Sequence, residues 1–180
     1  MHEWAVTPAE AVAIQRRLAP LVQATGIALD QIHTIAGIDA SYADKARAAI
    51  VVLSFPALEV LDRAVASRES PFPYVPGLLS FREVPAVLDA MEKLTVRPDV
   101  LMCDGQGYAH PRRLGLASHL GVYLDMPSVG CAKSRLIGRY DEPGPAPGDQ
   151  SPVFDHGELV AMAVRSKSRT KPLFVSIGNR

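Results

Sequence analysis

The run Val100-Leu-Met-Cys103, ending on Asp104 and followed at once by Gly-Gln-Gly, constrains this chain more than any other segment. A short, uninterrupted apolar run is the pattern of a buried strand, and a carboxylate at its end is delivered to the edge of a sheet. Glycines directly after it let backbone approach whatever the carboxylate serves. A basic turn (His110, Pro111, Arg112, Arg113) and a second histidine, His119, come next.

The flanking segments set the order of elements. Thr7-Pro8-Ala9-Glu10 combines a threonine cap, a proline at the first helical position and a glutamate three residues after the cap, so a helix is expected from there to about Thr25. Three strand-like runs follow, Ile35 to Tyr42, Ala48 to Phe55 and Leu58 to about Ala66, joined by spacers short enough for an antiparallel meander. Pro71-Phe-Pro-Tyr-Val-Pro-Gly77 excludes regular structure. A helix is predicted over about Arg82 to Leu94, with Val84, Val87, Leu88, Met91 and Leu94 on one face. After the strand at Asp104 come a helix around Leu114 to Leu120 and a strand at Ser128 to Ala132. A loop over Asp141 to Pro152 and strands at Glu158 to Val164 and Leu173 to Ser176 complete the chain. This is the order of an α/β, RNase H-like mixed sheet, three antiparallel strands then parallel ones, with helices on both faces, in a single domain over residues 1–180.

Net charge is formally zero and nearly half the residues are apolar, so bulk charge selects no partner, although a basic face would still allow nucleic acid. Arg112 with Arg113, Lys133 with Arg135 and Arg139, and Arg165, Lys167, Arg169 and Lys171 form basic clusters that read first as solvated loops. Cys103 and Cys131 fit no metal spacing and read as free thiols. With no signal peptide and no apolar run of membrane-spanning length, a cytoplasmic protein is expected.

Three carboxylates stand out: Asp39 within a strand, Glu83 at the start of a helix, and Asp104. Each has a plain reading alone, as an edge residue, a helix N-terminal acid and a turn aspartate respectively. Converging, they would form an oxygen-rich site for Mg²⁺, with Mn²⁺ able to substitute, of the kind that activates water against a phosphate.

Pro73-Tyr-Val-Pro-Gly-Leu-Leu-Ser-Phe-Arg-Glu83 closely resembles the signature of the endonuclease V family of deoxyinosine-directed nucleases. Gly37-Ile-Asp39, Asp104-Gly-x-Gly-x-x-His110-Pro-Arg with Ala117-x-His119-Leu-Gly, and Pro127-Ser-Val-Gly-Cys-Ala-Lys133-Ser fit the same pattern in the same order. The resemblance implies metal-site acids at Asp39, Glu83 and Asp104 and a lysine, Lys133, near the scissile phosphate. It implies a wedge at Pro73 to Pro76 with Tyr74 at its tip, and a pocket for the flipped base around Gly77, Leu79, Gly105 and Gly107, with His110 nearby. The implied activity is Mg²⁺-dependent hydrolysis on the 3′ side of deoxyinosine in DNA, a repair function, by a monomer. Inosine-containing RNA is an alternative substrate.

The pattern departs at Phe174-Val-Ser-Ile-Gly-Asn-Arg180, where the family has a proline at position 177 and a histidine at 179, and then a C-terminal helix. If that histidine moves a proton, Asn179 would impair turnover. This leaves a second expectation: an inosine-binding module with little or no catalysis.

Overall fold

The computed structural model describes residues 2–70 and 72–180; Pro71 of the proline-rich segment lies outside them. Helix α1 (Pro8–Leu18) begins at the full capping box predicted, with Thr7 and Glu10 each accepting from the other's end of the turn. It stops short of Thr25. Pro20 lacks an N–H and disfavours helical geometry before it, so Ala19–Leu21 close as a 3₁₀ turn instead.

The meander forms as expected: β1 (Thr34–Tyr42), β2 (Ala46–Ser54) and β3 (Val60–Arg68) pair antiparallel in sequence. Helix α2 (Leu79–Met91) follows, then β4 (Val100–Cys103), α3 (Leu116–Leu124) and β5 (Ser128–Ala132). Strands β6 (Gln150–Asp155), β7 (Glu158–Val164) and β8 (Leu173–Asn179) finish the chain. All eight join one sheet in the order β3-β2-β1-β4-β5-β8-β7-β6. β1, β4 and β5 run parallel and β5, β8, β7 and β6 pair antiparallel. This is the mixed α/β sheet foreseen.

β6 was not foreseen, because Pro152 sits in its middle. It is an edge strand, where a missing N–H costs no ladder bond on the open side. Helix α2 begins three residues earlier than predicted, which carries Glu83 from the helix start into its second turn. Pro85 lies well inside it.

Among the described residues the helices lie on one face of the sheet, not both. Ala36, Ile38, Ile50, Val52, Leu101 and Cys103 point inward and pack with Val84, Val87, Ala117 and Leu120 from α2 and α3. The alternate positions Gly37, Asp39, Val51, Val65, Met102 and Ile177 are exposed on the opposite face. β4 is therefore covered on one side only, and Asp39 is exposed despite its apolar neighbours. No helix among the described residues is long and apolar enough to cross a membrane.

Candidate active site

Parallel pairing of β1 with β4 sets Ile38 opposite Cys103, and the Asp104 N–H donates to the Ile38 carbonyl at 2.9 Å. Asp39 and Asp104, one residue further on each strand, stand abreast at the C-terminal end of β4, in the middle of the sheet. β5 runs parallel beside β4 and brings Lys133 to the same end of the parallel strands, where its Nζ donates to Asp104 Oδ2 at 2.5 Å. The hydrogen bond and charge of Asp104 raise the pKa of Lys133, so the ammonium stays protonated.

Glu83 reaches the same region from the helix side and is 7% exposed. Burial pushes its carboxyl up to about 7, Arg82 opposes that, and the charges of Asp39 and Asp104 add to it. The three acids thus sense one another, but they are not gathered. No three Asp, Glu, His or Cys side chains among the described residues stand close enough to ligate one ion. Lys133 takes one oxygen of Asp104, and Glu83 and Asp39 approach from opposite faces of the sheet. The donor chemistry still suits a hard divalent cation, since carboxylate oxygens crowded by like charge are relieved by one.

Beside the acids opens a cavity of about 410 Å³, lined by Tyr74, Gly77, Leu79, Glu83, Asp104, Gly105, His110 and Lys133 among others. Tyr74 is 70% exposed, on a loop stiffened by Pro73 and Pro76. Arg82 lies over the Tyr42 ring, 3.4 Å from its centroid, and 5.7 Å from that of Tyr74. Gly107 does not line the cavity. It is buried beneath it, its N–H donating to Ser176 Oγ at 2.9 Å, and a Cβ there would lie 2.2 Å from the Ile177 carbonyl oxygen. A glycine is required at 107 by close packing rather than by a ligand.

His110 is 3% exposed, and its Nε2 lies 3.0 Å from the Gly77 carbonyl oxygen. Burial and the charge of Arg112 lower its pKa to about 4, so it is neutral near pH 7. His119 is a hydrogen-bonded core histidine, its ring nitrogens 2.8 Å from Ser80 Oγ and 2.7 Å from His2 Nε2.

Asn179 is not at the acids. It lies opposite Ser128 at the far end of β5 from Lys133, 2% exposed. Its Nδ2 donates to the Gly121 and Met126 carbonyls and its Oδ1 accepts from the Gln23 N–H. Two of the basic clusters are also not simple solvated loops. Arg113 pairs with Asp155 and Glu158, and Arg165 is buried against Glu142, Pro143, Gly144 and Thr170. Gln15 and Arg112, both bonded into the wall of the cavity, had no place in the sequence-based site. Gln15 carried a signal: it shares the helical stripe of Ala11 and Ile14 and is as buried as they are.

Acids and a lysine on neighbouring central strands, beside an exposed aromatic on a stiff loop and a base-sized cavity, are the equipment of a nuclease. The endonuclease V family model matches residues 16–180. An endonuclease V of Roseiflexus sp. (strain RS-1) is 53% identical over 178 residues, 98% of this chain and 80% of that protein. One of Nostoc punctiforme is 49% identical over 182 residues, 99% of this chain and 82% of that protein. The chain belongs to the endonuclease V family. The crystal structure of the Streptomyces avermitilis member superposes with a TM-score of 0.90 at 42% identity, over 98% of this chain and 79% of that one. A Ciona intestinalis endonuclease V, solved in complex with DNA containing an inosine followed by a ribo-adenosine, gives a TM-score of 0.82 at 28% identity. It covers 97% of this chain and 84% of its own.

Proposed function

We propose that this protein is a divalent-metal-dependent endonuclease that recognises deoxyinosine in DNA and hydrolyses a phosphodiester on its 3′ side, in the service of repair. The observation that carries the reading is the β1–β4 register, which sets Asp39 and Asp104 abreast on the central strands, near Glu83 and Lys133. Asp39, Asp104 and Glu83 would hold Mg²⁺, or Mn²⁺ in its place. A bound divalent cation supplies a water that ionises near neutral pH and offsets charge on the phosphate. The ammonium of Lys133, held charged by Asp104, provides a second positive group for the phosphate. Water adds to phosphorus and the 3′-oxygen leaves, giving 3′-hydroxyl and 5′-phosphate ends without a covalent enzyme intermediate.

Tyr74 presents its ring to solvent on a loop that prolines hold rigid, which suits it to fill the gap left by an extruded base. The extruded purine would enter the cavity lined by Gly77, Leu79, Gly105 and His110. The backbone N–H groups of Gly77 and Leu79 have no hydrogen-bond partner among the described residues, and so are free for a carbonyl oxygen of the base. One ground of the inactive-binder alternative was Asn179, whose side chain is committed to Gly121, Met126 and Gln23. Inosine in RNA remains a second substrate to be compared directly, because 2′-hydroxyl contacts decide that choice.

The test is denaturing-gel cleavage of a labelled duplex carrying one deoxyinosine, with Mg²⁺, with Mn²⁺ and with chelator. Metal-dependent cutting at one position 3′ to the lesion, abolished in Asp39→Ala and Asp104→Ala while binding persists, is the expected result. Undiminished cutting by both variants overturns the assignment.

A further inference from the structure

The Gly77 carbonyl oxygen, on the rim of the cavity, is approached by three side-chain groups from three separate parts of the chain. Gln15 Nε2 on α1 donates to it at 3.0 Å, Arg112 Nη2 donates at 2.8 Å, and His110 Nε2 lies at 3.0 Å. The Arg112 N–H donates to His110 Nδ1 at 3.2 Å, so in the neutral ring the proton is on Nε2 and Gly77 receives a third donor. The amide of Gln15 is fixed in one sense, because its Oε1 accepts from Arg112 Nε at 2.5 Å and its Nε2 also donates to the Leu114 carbonyl at 3.1 Å. On the other side of the same peptide plane, the Leu78 N–H donates to the Val75 carbonyl at 3.0 Å. Gly77 itself has φ +78°, and a Cβ there would lie 2.9 Å from Arg112 Nη2.

Two lone pairs engaged by three donors is more restraint than folding of a surface loop needs, and Gln15 is only 1% exposed. Each flanking N–H, that of Gly77 and that of Leu79, is left unpaired among the described residues on the cavity wall. Fixing the plane between them fixes both donors. We infer that Gln15 is a positioning residue for base recognition: through the Gly77 carbonyl it holds the Gly77 and Leu79 N–H groups in the arrangement that reads the 6-oxo group of the purine. The inference rests on the proposed base-recognition reading. It extends the recognition apparatus to α1, which carries none of the three acids.

The experiment measures binding of the full chain to labelled duplexes by fluorescence anisotropy in chelator, so that turnover plays no part. The probes carry deoxyinosine, deoxyadenosine, or deoxynebularine, a purine nucleoside without the 6-oxo group, at one position. Gln15→Met preserves side-chain length and removes both donors. It is expected to weaken inosine binding about tenfold, the scale of one net hydrogen bond in a desolvated site, and to leave nebularine binding unchanged. Arg112→Met removes a second donor from the same carbonyl on a half-buried residue and should show the same inosine-selective loss, carrying the test if Gln15→Met does not fold. Equal weakening for inosine and nebularine reveals a merely structural tie and overturns the inference, as does no weakening for either. A wild-type chain that binds inosine no better than adenine sinks the base-recognition reading itself, and this inference with it.

Discussion

Glu83→Gln gives the sharpest test of how the acid cluster is built. Burial first, and then the neighbouring Asp39 and Asp104, raise the Glu83 carboxyl from an ordinary 4.5 to about 7. The folded state therefore holds a proton that the unfolded chain releases at lower pH. Stability associated with this group is fully present below about pH 4.5 and is lost as pH rises through about 7, the reverse of a salt-bridged acid. The difference corresponds to about 3 kcal/mol as an upper figure, since each pKa unit is about 1.4 kcal/mol. Because the residue is only 7% exposed, solvent screening takes little from it. The amide in Glu83→Gln is close in shape and never ionises. In chelator, the variant should match wild type near pH 5 and melt about 5–10 °C higher at pH 8, at about 2–4 °C per kcal/mol for a domain of this size. Thermal unfolding followed by circular dichroism across that range measures it. Millimolar Mg²⁺ should then raise the wild-type melting temperature at pH 8 while leaving the variant nearly unmoved. A variant equal to wild type at both pH values, or less stable at pH 8, refutes the claim that burial and the neighbouring acids push the Glu83 carboxyl up.

Asn179→Ala should cost about 2–3 kcal/mol in urea unfolding, because it removes the side-chain donor to the Met126 carbonyl and the acceptor for the Gln23 N–H, while the Gly121 carbonyl keeps the Met126 N–H. Asn179→His should bring no gain in single-turnover cutting, and a gain would return position 179 to the active site. Gly107→Ala forces a Cβ against the Ile177 carbonyl oxygen, where backbone cannot yield. A loss of about 2–3 kcal/mol with reduced cutting is expected. Gly26→Ala, with open space around it and φ +75°, should cost only about 1 kcal/mol in the same unfolding assay and leave cutting intact.

Local signals were legible where local physics decides. The capping box at Thr7 and Glu10, the meander from Thr34 to Arg68, and the strand that ends before Asp104 all follow from residue types and spacing. Boundaries shifted where prolines carry more than one meaning. Pro20 ended α1 early, Pro85 sits inside α2, and Pro152 is accommodated in an edge strand that composition alone reads as loop. Gly107 was assigned by motif to a pocket, and Asn179 was read as the replacement of an active-site histidine, but both are held by packing partners far away in sequence, Ser176 and Ile177 for one, Gly121, Met126 and Gln23 for the other.

By itself, the sequence determined the order of the elements other than β6 and the stiffness of the Tyr74 loop, because capping, periodicity and proline stiffness act within a few residues. The resemblance carried by its motifs pointed to Asp39, Glu83 and Asp104. Tertiary structure alone decided that Asp39 and Asp104 stand abreast, since strand register is set by pairing across more than sixty intervening residues. It likewise decided that the Glu83 carboxyl is pushed up, because desolvation depends on what packs around a carboxylate. And it alone brought Gln15 to the Gly77 carbonyl, where a buried amide must find partners that no local pattern names.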